Sequence, residues 1–561
     1  VADADSRSLH TVDVESGKEL SRTRLDGAPQ QLVVLADGRV AVTLSDASRA
    51  AVLEPAPDAT SHMALVCERE TPPEPWGIAV SPRDGTMVVT SAWARTLSVF
   101  DAGSLALRRV VEVPRDPRGV LVDDTGVAYV THLVGARVST LDLGKDDAIP
   151  GVIDVSARKV SPLSKPDDLH VQRTAAQGYA LAKVELSPEG SRVLAPMTSV
   201  DPGEFERPQS VYYGPPFDGV PKEAPIVGVV DTTTKRALDQ ALLSTTDKRY
   251  VGECLLPRAA AVRSRTSSLY VACYGVDALL ELDARAVDPF RVERRRFQVP
   301  PGPGGVAIDD EGGRAVVFSQ MGAAVTVLSL DASREPVTVA LDYHPDPSIA
   351  AAARGRLLFY RTDDARISVD GVACSSCHPD GRDDGNTWTT PMGPRQTPML
   401  AGRMGGTAPY GWEGDRATLA DYIGNTVTRL GGRGLEPREQ EDLASYLLVM
   451  KGPSHRGVQD EQLVRRGEEI FNDPGQGCSD CHLGGIGTDA TNHGLAHHKN
   501  DAIQAFDTPS LRFVSGTAPY FHDGRYATLE ALLADPGSPM GHTAALAERD
   551  RQALAAYLRS L

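Results

Sequence analysis

Two pentapeptides carry the chemistry of this chain: Cys374-Ser-Ser-Cys377-His378 and Cys478-Ser-Asp-Cys481-His482. C-x-x-C-H is the attachment signal of a c-type haem. The two thiols add across the haem vinyl groups, and the adjacent histidine becomes the proximal iron ligand. A thioredoxin-like dithiol needs no histidine and belongs in a βαβ context. A zinc ribbon brings its two C-x-x-C pairs within roughly 15–20 residues of each other. Here a histidine follows each pair and the pairs lie about a hundred residues apart. The sequence therefore predicts two covalently bound c-type haems, attached at Cys374, Cys377, Cys478 and Cys481, with His378 and His482 as metal ligands.

The composition sets limits on the rest. At 561 residues the chain is long enough for two to four domains. A formal net charge of −17 argues against nucleic acid or an anionic membrane surface as partner. No run of 18 apolar residues exists, so no membrane-spanning helix is expected. No signal peptide is visible, and because c-type haems are assembled outside the cytoplasm, the chain reads as a mature or trimmed, exported, periplasmic bacterial protein. Three cysteines remain outside the haem motifs, Cys67, Cys254 and Cys273. An oxidising compartment permits a disulfide; Cys254–Cys273 is the favoured pair by proximity, with three free thiols as the alternative.

The elements that must position the haem motifs come in two kinds. Residues 1–360 repeat a Gly-bearing turn, an apolar strand and a second strand ending in Asp, as in Pro82-RDGTMVV followed by Leu97-SVFD. The turn glycines Gly38, Gly85 and Gly126 are spaced by roughly 40–47 residues, the period of a four-stranded propeller blade. Such units cannot close a core singly but can when stacked radially. The count is seven blades, with the initial strands lacking a first strand that Ser348–Phe359 is expected to supply by returning to the ring. The units resemble YVTN-type surface-layer propeller repeats. Two insertions, Ala157–Gly178 and the aromatic Asp201–Pro225 with Phe205, Tyr212, Tyr213 and Phe217, are expected to dock on the chain's own haem domain, or to hold a ligand. The scattered His10, His62 and His132 read as structural.

From about Arg361 the pattern changes to short helices and Gly/Pro-rich loops, and it is duplicated. Thr407-Ala-Pro-Tyr410 aligns with Thr517-Ala-Pro-Tyr520, and Ala417-Thr-Leu419 with Ala527-Thr-Leu529, both at an offset of 110. Each copy ends in an amphipathic helix, Arg438–Met450 and Glu548–Leu561. The expected fold class is multidomain: an all-β seven-bladed propeller (1–360) followed by an α-helical tandem cytochrome c region (361–455 and 456–561).

This second half, with TPSLR…TAPYFHDGRYATLE after its second motif, resembles the bacterial dihaem cytochrome c peroxidase superfamily, which includes the dihaem enzymes that mature tryptophan-derived quinones. Met540, in Pro539-Met540-Gly541, resembles the distal ligand of that family's electron-transfer haem; His542 is the rival ligand. The same offset of 110 carries Met540 onto Leu430, which cannot ligate iron. The expectation is an open haem on His378, with Met392, Met399 and Met404 as alternative ligands. Trp412 falls where the second copy has His522 and resembles the tryptophan that carries electrons between the haems; Trp388 is the weaker alternative. Arg429, Glu413 and Asp415 are candidate distal acid–base groups, since cleaving an O–O bond requires proton transfer and charge stabilisation. Arg382, close behind His378, is expected to pair with a haem propionate or with Asp380 and Asp384. His493, His497 and His498 form a loop cluster, read as solvated or as a metal site. The resemblance also allows a calcium ion between the cytochrome halves.

The function expected is an exported dihaem c-type oxidoreductase resembling cytochrome c peroxidases. Electrons from a small redox protein, a cytochrome c or a cupredoxin, enter at the His482/Met540 haem. Hydrogen peroxide or another substrate reacts at the His378 haem. The alternative is a non-catalytic dihaem electron carrier that uses the propeller as a protein-binding platform.

Overall fold

The computed structural model describes residues 1–561 apart from 57–58, 102, 157–158, 161–173, 188–189, 204–221, 239–240, 243–251, 332–333, 344–345, 454–459 and 496–498. Seven antiparallel sheets follow one another over residues 2–24, 29–70, 75–112, 117–154, 174–237, 257–298 and 303–340. Together they form the seven-bladed propeller that the repeat predicts. The repeat is legible because each blade has an apolar middle: Val40–Leu44, Met87–Ser91 and Val127–His132 are almost wholly buried. The outer strands alternate instead, Lys18–Arg24 being exposed at every second residue, as expected where one face meets solvent.

The ring closure departs from the expectation. The first sheet has three strands, Ala2–Asp3, Ser8–Asp13 and Lys18–Arg24, and Ser348–Phe359 does not complete it. That segment is helix α1, Ala350–Tyr360. Four consecutive alanines are strong helix formers, and the Asp346 carboxylate accepts from the Ser348 N–H at the entry to the helix.

Helix α1 packs with the helices of the second half of the chain, so the helical region begins before residue 361. Further helices are α2 (Cys374–Cys377), α3 (Leu419–Arg429), α4 (Pro437–Val449), α5 (Glu461–Phe471), α6 (Leu529–Ala534) and α7 (Glu548–Ser560). α1 crosses α4 so closely that a Cβ on Gly355 would meet the Asp442 carbonyl oxygen at 2.0 Å. α5 crosses α7 in the same way, with Gly467 against the Ala553 carbonyl oxygen at 2.0 Å. Thr418 caps α3 by accepting from the Asp421 N–H, and Thr528 caps α6 by accepting from the Ala531 N–H. The duplication read from the sequence is thus a duplication of structure, with one apolar core per copy.

The propeller and the helical region share a buried polar interface, mostly with its first copy. Arg115 bridges to Asp383 at 2.8 Å and to the Ala518 carbonyl at 2.7 Å. Arg258 and the Tyr179 hydroxyl both reach Asp380 at 2.8 Å. Arg382 pairs with Asp116 at 2.7 Å and with Glu74. The described ends of both insertions dock here. Gln177 donates to the Ser375 carbonyl at 2.9 Å, Lys222 faces Asp370 at 3.3 Å, and the Pro202 carbonyl accepts from Thr389 N–H. Phe205, Tyr212, Tyr213 and Phe217 lie outside the described residues. Cys254 and Cys273 form a disulfide, and Cys67 is a free thiol. No helix among the described residues is long and apolar enough to cross a membrane.

Candidate functional site

Each C-x-x-C-H motif opens onto its own apolar cavity. The first, about 240 Å³, is lined by Cys374, Cys377, His378, Trp388, Met399 and Leu430 among others. The second, about 200 Å³, is lined by Cys478, Cys481, His482, Met540 and Phe521 among others.

In the first motif α2 is one helical turn, with the His378 N–H donating to the Cys374 carbonyl at 2.9 Å. The two serines between the cysteines face the propeller: the Ser376 hydroxyl donates to Glu223 at 2.9 Å, and the Ser375 carbonyl accepts from Gln177. That leaves both thiols and the imidazole on the cavity side. Burial pushes the Cys374 thiol up to about 12 and holds the His378 imidazole down at about 4. A redox dithiol has the opposite signature, a lowered thiol, whereas a haem ligand must be a neutral imidazole. In the second motif the His482 Nδ1–H donates to the Gly487 carbonyl at 2.8 Å, which fixes the tautomer and leaves Nε2 as the donor atom. Among the described residues, the donor set, the single-turn spacing and the adjoining apolar cavity fit a covalent haem at each motif.

The sixth positions differ. Met540 lines the second cavity and His542 does not. The Met540 loop closes tightly on the motif: Gly541 takes φ +89°, and a Cβ there would lie 2.4 Å from the Gln476 carbonyl oxygen and 3.3 Å from Cys478 Sγ. In the first cavity the residue at the corresponding position, Leu430, is in the wall. Met399 and Met404 also line this cavity, whereas Met392 does not.

Trp412 lines both cavities, as do Arg403 and Asp507. Its carbonyl accepts from the Asp507 N–H at 3.0 Å, and its ring lies edge-on to His522 at 6.4 Å. Trp388 lines only the first cavity and donates its Nε1–H to Asp384 at 2.8 Å. Arg429, Glu413 and Asp415 are absent from the walls of both cavities. Arg429 lies over the Tyr422 ring, and Asp415 pairs with Arg416. Arg382, expected at a propionate or beside Asp380 and Asp384, points instead to propeller acids. The polar chain of the shared region is Arg395–Asp501–His522, with links of 2.5 and 2.9 Å. Neither it nor Asp507 was legible as a site: His522 lies in the TAPYFHDGRYATLE run, but its partners Asp501 and Arg395 are 21 and more than 100 residues away and carry no motif that links them to it. His493 lines the second cavity; His497 and His498 lie outside the described residues.

Comparison with known proteins gives distant relatives. The chain is 24% identical over 270 residues to hydrazine synthase subunit gamma of Kuenenia stuttgartiensis, covering 36% of this chain and 76% of the relative. It is 28% identical over 244 residues to the methylamine utilization protein MauG of Methylophilus methylotrophus, covering 33% of this chain and 72% of the relative. A solved chain of Kuenenia stuttgartiensis hydrazine synthase matches at 21% identity with a TM-score of 0.33, covering 39% of this chain and 89% of that one. No family model matches.

Proposed function

We infer that this chain is a dihaem c-type oxidoreductase with one site for electron entry and one for reaction. Cys374, Cys377 and His378 would hold the first haem; Cys478, Cys481, His482 and Met540 would hold the second. When bound, each haem supplies one-electron chemistry at its iron. A thioether opposite an imidazole favours the reduced state and raises the potential, which suits Met540 to the entry site. Leu430 offers no ligand atom, so the first site is left accessible to a small oxidant such as hydrogen peroxide. Trp412 joins the two because its side chain borders both cavities. The walls are mostly apolar, and Arg403, buried between the cavities, supplies a fixed positive charge.

The single observation behind this reading is the asymmetry of the two walls, Met540 in one and Leu430 in the other, with Trp412 between. A second reading, an electron carrier with both irons fully ligated, draws on Met399 and Met404 in the first wall. Export and an electron-donor protein as partner are part of the proposal; the disulfide agrees with an oxidising compartment. Steady-state peroxide reduction by the dihaem protein with a reduced cytochrome as donor tests it. Turnover well above that of free haem, falling sharply in Trp412→Phe while haem content is unchanged, is expected. Turnover no faster than free haem would leave the carrier reading.

A further inference from the structure

Among the described residues, Asp507 is the only carboxyl that lines either cavity, and it lines both. It ends the strand Ala505–Asp507, and its N–H is bonded to the Trp412 carbonyl. Its Oδ1 is shut off from solvent and has no hydrogen-bond partner. The residue in the matching place of the first copy is Gln396, in Gln396-Thr-Pro398 against Asp507-Thr-Pro509, so the acid is a property of one copy and not of the repeat.

Asp507 has titratable neighbours that reach solvent. Its strand pairs with Asn492–Gly494, which places His493 opposite Phe506. His493 Nε2 lies 2.8 Å from Asp489 Oδ2, and the His493 side chain is 34% exposed. The charge of Asp489 acts on Asp507. Cys481, Asp489 and His493 bring their ligand atoms within 4.8 Å of one another, but Cys481 is committed to haem attachment, which removes it as a ligand for a separate ion.

We propose that Asp507 takes up one proton for one electron entering the haem pair, so that its reduction is proton-coupled. The electron comes from the reduced donor protein. The proton comes from solvent by way of His493 and Asp489, and an O–H bond forms at Asp507 Oδ1. An electron added to a low-dielectric interior is strongly unfavourable unless charge is compensated nearby. Asp507 is placed to compensate both sites at once, because it stands in the wall they share. Burial, with the Asp489 charge adding to it, raises this carboxyl to about 7, so it changes state near neutral pH. Among the described residues, Arg403 is the other charged side chain in both walls; Arg395 and His378 line the first cavity, and His482, His493 and His522 the second, with Asp501 bonded to Arg395 and His522 and Asp489 to His493. The inference rests on the two haems being held as proposed above, and not on peroxide being the oxidant.

The test is spectroelectrochemical titration of the dihaem holoprotein at pH values on either side of 7. For a one-electron couple, a tenfold change in proton activity corresponds to ~59 mV. The wild-type potential is expected to fall as pH rises above 7, by up to that amount per unit. Asp507→Asn should flatten the dependence, Asp507→Glu should keep it, and His493→Phe should keep the slope while slowing re-equilibration after a pH jump. A pH-independent wild-type potential, or a slope that survives in Asp507→Asn, overturns the proposal. Loss of peroxide turnover with the slope intact overturns only the functional reading. A purified protein with one haem overturns both.

Discussion

In the function proposed, the asymmetry between Met540 and Leu430 turns a duplicated fold into two different sites. Both residues sit just after the helix that follows an Ala-Thr-Leu cap, and both are in cavity walls. Only one has an atom that can bond iron. Leu430→Met is therefore expected to convert the first site into a copy of the second. The replacement is nearly volume-conserving, so its packing cost should stay below ~1.5 kcal/mol, while peroxide turnover is lost and the optical spectrum gains a second methionine-ligated haem. Met540→Leu should do the reverse and lower the potential of the entry haem. Stopped-flow absorbance on the two variants checks both, and unchanged ligation in either would count against the assignment. The correspondence of Met540 with Leu430, each in the wall of one cavity, was legible in the sequence because an offset of 110 maps one copy onto the other. Asp507 was not, because its partner position holds Gln396 and its burial depends on the fold of both copies.

At the scale of elements, the loop after His378 joins the haem unit to the propeller. Asp380, a non-glycine residue at φ +52°, is inserted where Arg258 bonds it and Arg118 faces it at 3.8 Å. Arg258 stacks at 3.8 Å on the Tyr179 ring, and Arg118, fully buried, lies 4.1 Å over Trp76. Burial would raise the Asp380 carboxyl, but the two guanidiniums and the Arg258 and Tyr179 hydrogen bonds hold it well below the ordinary carboxylate range. Its ionised form is thus favoured by folding. The stabilisation is complete above the unfolded value of ~3.9 and is lost as pH falls towards the lower folded value. Asp380→Ala leaves two buried cations without their partner and should cost ~3–5 kcal/mol. Asp380→Asn should remove part of the acid sensitivity of Tm below about pH 4. Calorimetry against pH reads both; a wild-type-like Tm in Asp380→Ala would show that the loop does not bear on stability.

The disulfide makes a second prediction at this scale. Cys254 and Cys273 are 19 residues apart, and a closed loop of that length is worth ~3 kcal/mol in the chain-entropy account. The Cys254→Ser, Cys273→Ser double variant is expected to unfold at a lower temperature with both haems still attached. An unchanged Tm would place the bond outside the stabilising interactions. Strands were readable from local pattern, since each needs only a few residues in sequence. The strand expected at Ser348–Phe359 was wrong because four alanines favour a helix and the acceptor surface, α4, lies far along the chain. Arg382 was misplaced for a related reason: its partners Glu74 and Asp116 belong to a different domain, and charge pairing across about 300 residues leaves no local trace.

For the whole molecule, the propeller is the support on which the loop of the first C-x-x-C-H motif is set. Buried ion pairs and hydrogen bonds run from three of its blades to residues 375–389. Among the described residues, the copy with the second motif meets the propeller at fewer points, among them Arg115 at the Ala518 carbonyl and Trp93 edge-on to Phe513 at 6.2 Å. The fixed site is thus the one with Leu430, and the site with Met540 lies on the further side of Trp412. The central claim is that these two irons are ligated differently. Low-temperature EPR of the fully oxidised dihaem protein tests it most directly. The account predicts one high-spin and one low-spin ferric signal of equal weight, with the high-spin signal lost in Leu430→Met. Two low-spin signals in the wild-type protein would contradict it.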